Sequence, residues 1–209
     1  MPLQNRVDPW GRLHAVSARG TLLGNRGILH NAQKEIMATS ARKGWVTCRL
    51  EFEGRKREVF STGSYSELFF LDEATAFSAG HRPCAECRRE RYTEFKSAWV
   101  KANPGLVRSA NPPIAEIDRV MHAERALRGG GKVTFGAPLA DLPPGTFIEL
   151  GGEAVLVWRG RLLRWSFAGY CGAQLPPAPS TPVRVLTPAS VVRVFRSGFV
   201  PGVHASAAS

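Results

Sequence analysis

The stretch LFFLDEATAFSAGHRPCAECR, residues 68–88, carries the densest set of structural signals in this sequence. Asp72 is a residue type that caps the N-termini of helices, and Gly80 suits the left-handed position that follows a helix. We therefore predict a short helix between them. A second and longer helix is predicted to open at Cys87, with Phe95 and Trp99 on its buried face.

The pair Cys84 and Cys87 predicts a metal site. Two thiols separated by two residues, at a turn that leads into a helix, can converge on one tetrahedral ion. Pro83 fixes the backbone that enters this turn. The helix N-terminus, Arg82 and Arg88 favour the thiolate form that zinc requires. We predict zinc as the cofactor of this protein.

Zinc needs further ligands, and the sequence offers several. Cys48 is our third ligand, since the apolar and polar residues that alternate over 46–53 predict a strand in the same half of the chain. A buried hydrophobic role is the other interpretation of Cys48. For the fourth ligand we select His30, while His81 and Cys171 stay open as alternatives.

These residues resemble the zinc-binding domain of the Ada DNA alkyl-repair protein. That family combines an aromatic strand, an Ala-rich helix and the pattern Gly-aromatic-Arg-Pro-Cys-x-x-Cys. Its zinc is held by four cysteines, one of which accepts a methyl group from a DNA phosphotriester. The resemblance implies that Cys84 and Cys87 form the second cysteine pair and that Cys48 belongs to the first. The first pair of the family is Cys-x-x-x-Cys, whereas position 44 here is Gly.

The charge of the chain favours a polyanionic partner. There are 28 Lys and Arg against 17 Asp and Glu, which gives a net charge of +11 that is spread along the whole sequence. Lys and Arg that neutralise phosphates release condensed counterions, so nucleic acid, and DNA in particular, is the partner we expect. The residues predicted to meet phosphates are Arg55, Lys56, Arg57, Arg88 and Arg89.

The predicted fold class is α+β in two domains. Turn-forming residues over 101–113 favour a boundary between a small zinc-centred domain, 1–111, and a β-rich domain with flanking helices, 112–209. A hairpin leads from the strand at 46–53 to a second strand near 58–61. The later elements predicted are a helix over 113–127, strands at 146–150, 154–158, 161–165 and 183–186, and a last helix capped by Thr187 and ended by Gly198.

The helix over 113–127 supplies an alternative function. Asp118 and His122 lie four residues apart and share one face, with Arg125 nearby. Such a set could act as general base, orienting carboxylate and phosphate clamp. The alternative is thus a metal- or thiol-dependent enzyme, either a hydrolase such as a nuclease or an alkyl transferase, with its site between the domains. An ordinary surface ladder of ion pairs is the structural interpretation of the same residues.

The remaining composition predicts a cytoplasmic protein with no membrane partner. No apolar run is long enough to span a bilayer, and Met1–Trp10 does not read as a secretory signal. Four cysteines at uneven spacing are too few for a disulfide scaffold. In the main hypothesis the zinc is structural and the protein acts on or with DNA.

Overall fold

The computed structural model describes residues 1–54, 58–127 and 130–208, apart from the side chains of Ala173 and Gln174. Within these residues the chain forms two six-stranded sheets and four α-helices. The fold is therefore α+β, as predicted. No helix in the described part of the chain is both long and apolar enough to cross a membrane.

The first sheet is built from six short strands of the N-terminal half. Their spatial order is β2-β1-β5-β3-β4-β6. The last strand, β6, lies at the edge and pairs in parallel with β4. Pro83 is tolerated in β6 because an edge strand needs no N–H on its outer side. The bounds are β1 Arg6–Val7, β2 Leu13–His14, β3 Leu22–Asn25, β4 Val46–Cys48, β5 Leu68–Phe70 and β6 Arg82–Pro83.

The second sheet is antiparallel throughout, in the order β11-β10-β9-β8-β12-β7. Four of its strands match the predicted ones to within two residues at each end. Two others, β7 and β11, were not expected. The bounds are β7 Phe135–Pro138, β8 Phe147–Leu150, β9 Glu153–Trp158, β10 Arg161–Ser166, β11 Gly169–Gln174 and β12 Pro182–Val185.

Four α-helices complete the fold: α1 Glu73–Ser78, α2 Arg89–Ala102, α3 Ile114–Ala123 and α4 Ala189–Arg196. The capping prediction for α1 is confirmed, because the Asp72 carboxylate accepts the N–H of Thr75 at 2.8 Å and Gly80 has a φ of +87°. The predicted burial of Phe95 and Trp99 on α2 is confirmed as well.

Three local predictions were wrong. The helix α2 begins at Arg89 and not at Cys87, since the residues before it form a separate turn. Thr187 does not cap α4, because its hydroxyl accepts the N–H of Phe147 instead. The predicted hairpin is wrong at both strands: the strand expected over 46–53 ends at Cys48, and none forms near 58–61, where Phe60 has a φ of +59°, a backbone conformation that cannot continue a strand.

The hydrophobic core joins the two halves of the chain. One cluster packs Phe77 and Trp99 against Ile117, Met121 and Phe195. A second cluster includes residues on both sides of the predicted boundary, namely Leu71, Ala74, Phe147, Leu156 and Leu186. The predicted division at 111/112 is therefore not a division of the core.

Candidate metal centre

Three sulfurs converge at the end of β4. The Sγ atoms of Cys48, Cys84 and Cys87 all lie within 4.8 Å of one another. Sulfurs bound tetrahedrally to one zinc ion at about 2.3 Å stand about 3.8 Å apart, so this donor set fits such an ion. The structure thus brings together the three cysteines that were predicted as ligands from the sequence, and they could hold a metal ion.

Strand register places two of these cysteines side by side. In the parallel pair of β4 and β6, Val46 lies opposite Arg82 and Thr47 lies opposite Pro83. The next residues in each strand direction are Cys48 and Cys84. The N–H of Cys84 donates to the carbonyl of Thr47 at 2.9 Å, which fixes this register at the site itself.

The turn after β6 returns the third sulfur to the same point. It is closed by a hydrogen bond of 3.2 Å from the N–H of Arg88 to the carbonyl of Cys84. Inside it, the N–H of Glu86 points at the Cys84 sulfur at 3.4 Å. Such backbone donors stabilise a thiolate without using a side chain. The Cys-x-x-Cys segment is therefore a turn shaped around its first sulfur.

The three thiols titrate very differently. A hydrogen bond from Cys48, together with backbone N–H groups, lowers the pKa of Cys84 to about 5. That same hydrogen bond and burial raise the pKa of Cys48. Burial raises the pKa of Cys87. A metal ion binds thiolates, so its binding to all three sulfurs has to release the protons of the remaining thiols.

A buried ion pair holds the edge strand that carries this turn. Arg82 donates from Nε and Nη2 to the two carboxylate oxygens of Asp118 at 2.7 and 2.8 Å. Both residues are buried. The two-pronged contact ties β6 to α3, which positions Cys84.

This contact changes the interpretation of Asp118 and His122. The Asp118 carboxylate is engaged by Arg82, whereas Nδ1 of His122 lies 3.3 Å from Nη2 of Arg125. The Arg125 guanidinium in turn lies over the ring of Trp45, 4.0 Å from its centroid. The residues predicted as general base, orienting carboxylate and phosphate clamp therefore do not form one set. Asp118 pairs with Arg82, whereas His122 contacts Arg125.

The other ligand candidates lie elsewhere. His30 places Nδ1 2.6 Å from the Ser66 hydroxyl and stacks on Phe60, so it does not join the sulfurs. His81 is fully buried and its Nε2 accepts from Arg26. Cys171 is an exposed residue of β11. Among the described residues, no fourth His, Cys, Asp or Glu lies within 4.8 Å of all three sulfurs.

The five residues predicted to bind phosphates do not form one exposed group in the described part of the chain. Arg55, Lys56 and Arg57 lie outside the described residues. The guanidinium of Arg88 is bound within the protein, by the Thr47 hydroxyl at 2.7 Å and by the Glu73 carboxylate at 2.5 Å. Arg89 is exposed at the start of α2.

The cysteine cluster lies on the wall of a groove of about 1490 Å³, which all three cysteines line. Arg42 and Arg49 line the same groove and are exposed. No motif in the sequence predicted a role for these two arginines, although Arg49 directly follows Cys48 and so has to lie close to the three cysteines. Leu23 and Phe69 supply apolar wall.

Two arginines, Arg26 and Arg125, stack on the ring of Trp45 beside the site, and the sequence did not predict this contact. The guanidinium of Arg26 lies 4.1 Å from the Trp45 ring centroid, on the same indole that Arg125 contacts. Burial lowers the pKa of each arginine to about 9. The stack fixes the residue immediately before β4, and no periodicity or motif in the sequence signals it.

The comparisons with known proteins add no relative: no family model, no curated protein and no solved structure matches this chain.

The Arg82–Asp118 pair yields a stability prediction. Replacing Asp118 by Asn removes the carboxylate charge and leaves the Arg82 guanidinium buried without a counterion. We expect a loss of about 3 kcal/mol in the free energy of unfolding, measured by urea denaturation. Arg119→Ala, on the exposed face of the same helix, is the matched control and should change stability little. Unchanged stability in the Asp118 variant would show that the pair is not structural.

Proposed function

We propose that this chain is a zinc-binding protein that acts on or with DNA, and that its metal is mainly structural. The observation that carries the proposal is the convergence of Cys48, Cys84 and Cys87 from two separate segments. Soft thiolate ligands select zinc over the hard divalent cations, and a Cys-rich set is typical of structural zinc sites. In such a site the three cysteines would hold the ion, and its contribution would be to folding.

The short local structure explains why a metal would matter here. The strand β4 has three residues and β6 has two. Strands of that length form few ladder hydrogen bonds, so little local pairing holds the two together. Three bonds to one metal ion would join the end of β4, the end of β6 and the turn before α2, and metal binding would be coupled to folding.

Exposed arginines around the groove support contact with nucleic acid. Arg42 and Arg49 line the groove at the metal centre, and Arg89 is exposed at the start of α2. The net charge of +11 adds a general attraction for phosphates. The resemblance of residues 68–88 to the Ada zinc domain agrees with a nucleic-acid setting.

Metal content provides the first test. Purified protein is expected to contain about one zinc ion per chain. Cys84→Ser should abolish zinc binding, because it removes one of the three sulfurs that would hold the ion. The melting temperature should fall with it, since the metal is proposed to join β4 to β6. Elemental analysis and circular dichroism measure the two effects.

Cys171→Ser is the matched control for that variant. It makes the same substitution at an exposed cysteine outside the cluster, so zinc content and melting temperature should not change. Full zinc occupancy in Cys84→Ser would contradict the proposed site. Loss of zinc with an unchanged melting temperature would contradict a structural role.

Salt dependence tests the DNA part of the proposal. Binding to duplex DNA should weaken linearly in a plot of log K against log salt, with a slope of about −0.9 for each phosphate contacted. Arg42→Gln combined with Arg49→Gln should reduce the magnitude of this slope by about two units. Fluorescence anisotropy with a labelled duplex at several salt concentrations measures it.

The control for this experiment is a double variant of equal charge. Arg19→Gln with Arg119→Gln removes two exposed arginines that do not line the groove. Its slope should stay close to that of the unmodified protein. Equal slopes for the two double variants would exclude the groove as the DNA contact, and absence of binding at low salt would remove DNA as the partner.

The groove favours one second candidate, a metal- or thiol-dependent enzyme. The three sulfurs line an open groove, and the described residues supply no fourth ligand within 4.8 Å of all of them. Zinc sites with three protein ligands and an exchangeable position are typical of catalysis. On this alternative, an incoming ligand would reach the metal from the groove.

Cobalt spectroscopy separates the two candidates. In protein loaded with Co²⁺, an exchangeable position predicts that adding a small thiol shifts the visible absorption bands in a saturable way. A site closed by a fourth protein ligand predicts no shift, because no position is free to exchange. Cys84→Ser is the negative control, since it should lack the cobalt–thiolate bands altogether.

A further inference from the structure

A second pocket, of about 480 Å³, lies between the two sheets. Its walls come from the loop and strand over 8–14, and from β8, β12 and the β10–β11 turn of the second sheet. That volume is within the range of small-molecule sites. None of the three cysteines lines it, so it is separate from the metal centre.

An aspartate–histidine pair stands in this pocket. Oδ2 of Asp8 lies 2.8 Å from Nε2 of His14, and the other carboxylate oxygen accepts the N–H of Arg12 at 2.9 Å. Asp8 is only 4% exposed, so its position is fixed by the fold. With Nε2–H donated to Asp8, a neutral imidazole presents Nδ1 as a hydrogen-bond acceptor. Nδ1 has no partner among the described residues.

Aromatic rings form the apolar part of the pocket. Phe167 packs edge-on against Trp165 with ring centroids 4.7 Å apart, and against His14 at 5.0 Å. Trp10 lines the same pocket. Such ring surfaces bind planar ligands by stacking.

One cation of the pocket is left without an anionic partner. The carboxylate of Glu149 is shared between Nε1 of Trp10 at 2.9 Å and the Arg184 guanidinium at 3.3 Å. Asp8 is engaged by His14. Arg12 has its guanidinium 5.7 Å from the Trp10 ring centroid and pairs with no carboxylate among the described residues. A ligand carrying a negative group would complete this arrangement.

We propose that this pocket binds a planar aromatic anion of the mononucleotide class. The ring stacks against the aromatic wall and donates an N–H to Nδ1 of His14, which Asp8 orients. Arg12 receives the phosphate. This is a site for a small molecule, beyond the metal-dependent role proposed above, and it stands whether or not that role is correct.

Titration calorimetry with AMP, GMP, CMP and UMP tests the site on the full chain. At least one mononucleotide should bind with a Kd below about 1 mM. Ribose 5-phosphate lacks the ring and the nucleoside lacks the anion, so each should bind at least about tenfold more weakly than the mononucleotide. Absence of measurable binding by all four mononucleotides overturns the proposal.

Two variants locate the binding. Arg12→Gln removes the phosphate contact and His14→Ala removes the acceptor, and each should weaken binding by about tenfold or more. Arg19→Gln, an exposed arginine outside the pocket, should leave it unchanged. Circular dichroism verifies that each variant is folded. Affinities of both pocket variants equal to that of the unmodified protein would overturn the assignment.

Nuclear magnetic resonance of the His14 ring tests its proposed hydrogen bond directly. Stacking of a ligand on the aromatic rings does not by itself give the ¹⁵N shift change that a hydrogen bond to Nδ1 produces. The measurement is made at a pH where the imidazole is neutral; with Nε2–H donated to Asp8, the ¹⁵N shift of Nδ1 in the free protein is then that of an unprotonated nitrogen. Binding should move the Nδ1 shift toward that of a hydrogen-bonded nitrogen. A mononucleotide that binds without changing this shift would contradict the role of His14.

Discussion

The parallel pairing of β4 with the edge strand β6 is the constraint on which the candidate metal centre depends. Because the two strands run in the same direction, their ends lie at the same point: β4 ends at Cys48, and Cys84 directly follows β6. A shift by one residue would separate Cys48 from Cys84 and turn the side chains to opposite faces. The tight turn after β6 then needs to place only one more sulfur.

This register is supported from outside the sheet. The buried pair of Arg82 and Asp118 ties β6 to α3. The indole of Trp45, just before β4, is held between two guanidinium groups, one of which belongs to Arg125 beyond the end of α3. The helix α3 itself packs by Ile117 into a cluster shared with α2 and α4. The residues that position the cysteines therefore come from both halves of the chain.

The features that were predicted correctly from the sequence are those that depend on residue type and on short spacing along the chain. The cap at Asp72, the turn at Gly80 and the three cysteines were read from residue type and spacing. It did not predict β6, because a two-residue strand has no periodicity, nor the partner of Asp118, which lies 36 positions away in sequence. His30 was selected as fourth ligand from its residue type, with His81 and Cys171 left open, and Ser66 and Phe60 hold it elsewhere. Contacts distant in sequence fix these features.

The most direct test of the central claim is X-ray absorption at the zinc edge on the purified protein. The account predicts a first coordination shell with three sulfurs at about 2.3 Å. Cys84→Ser should lose that shell, while Cys171→Ser should keep it. A shell of nitrogen and oxygen atoms without sulfur, or one that the Cys84 variant leaves intact, would contradict the assignment of these three cysteines to one metal ion.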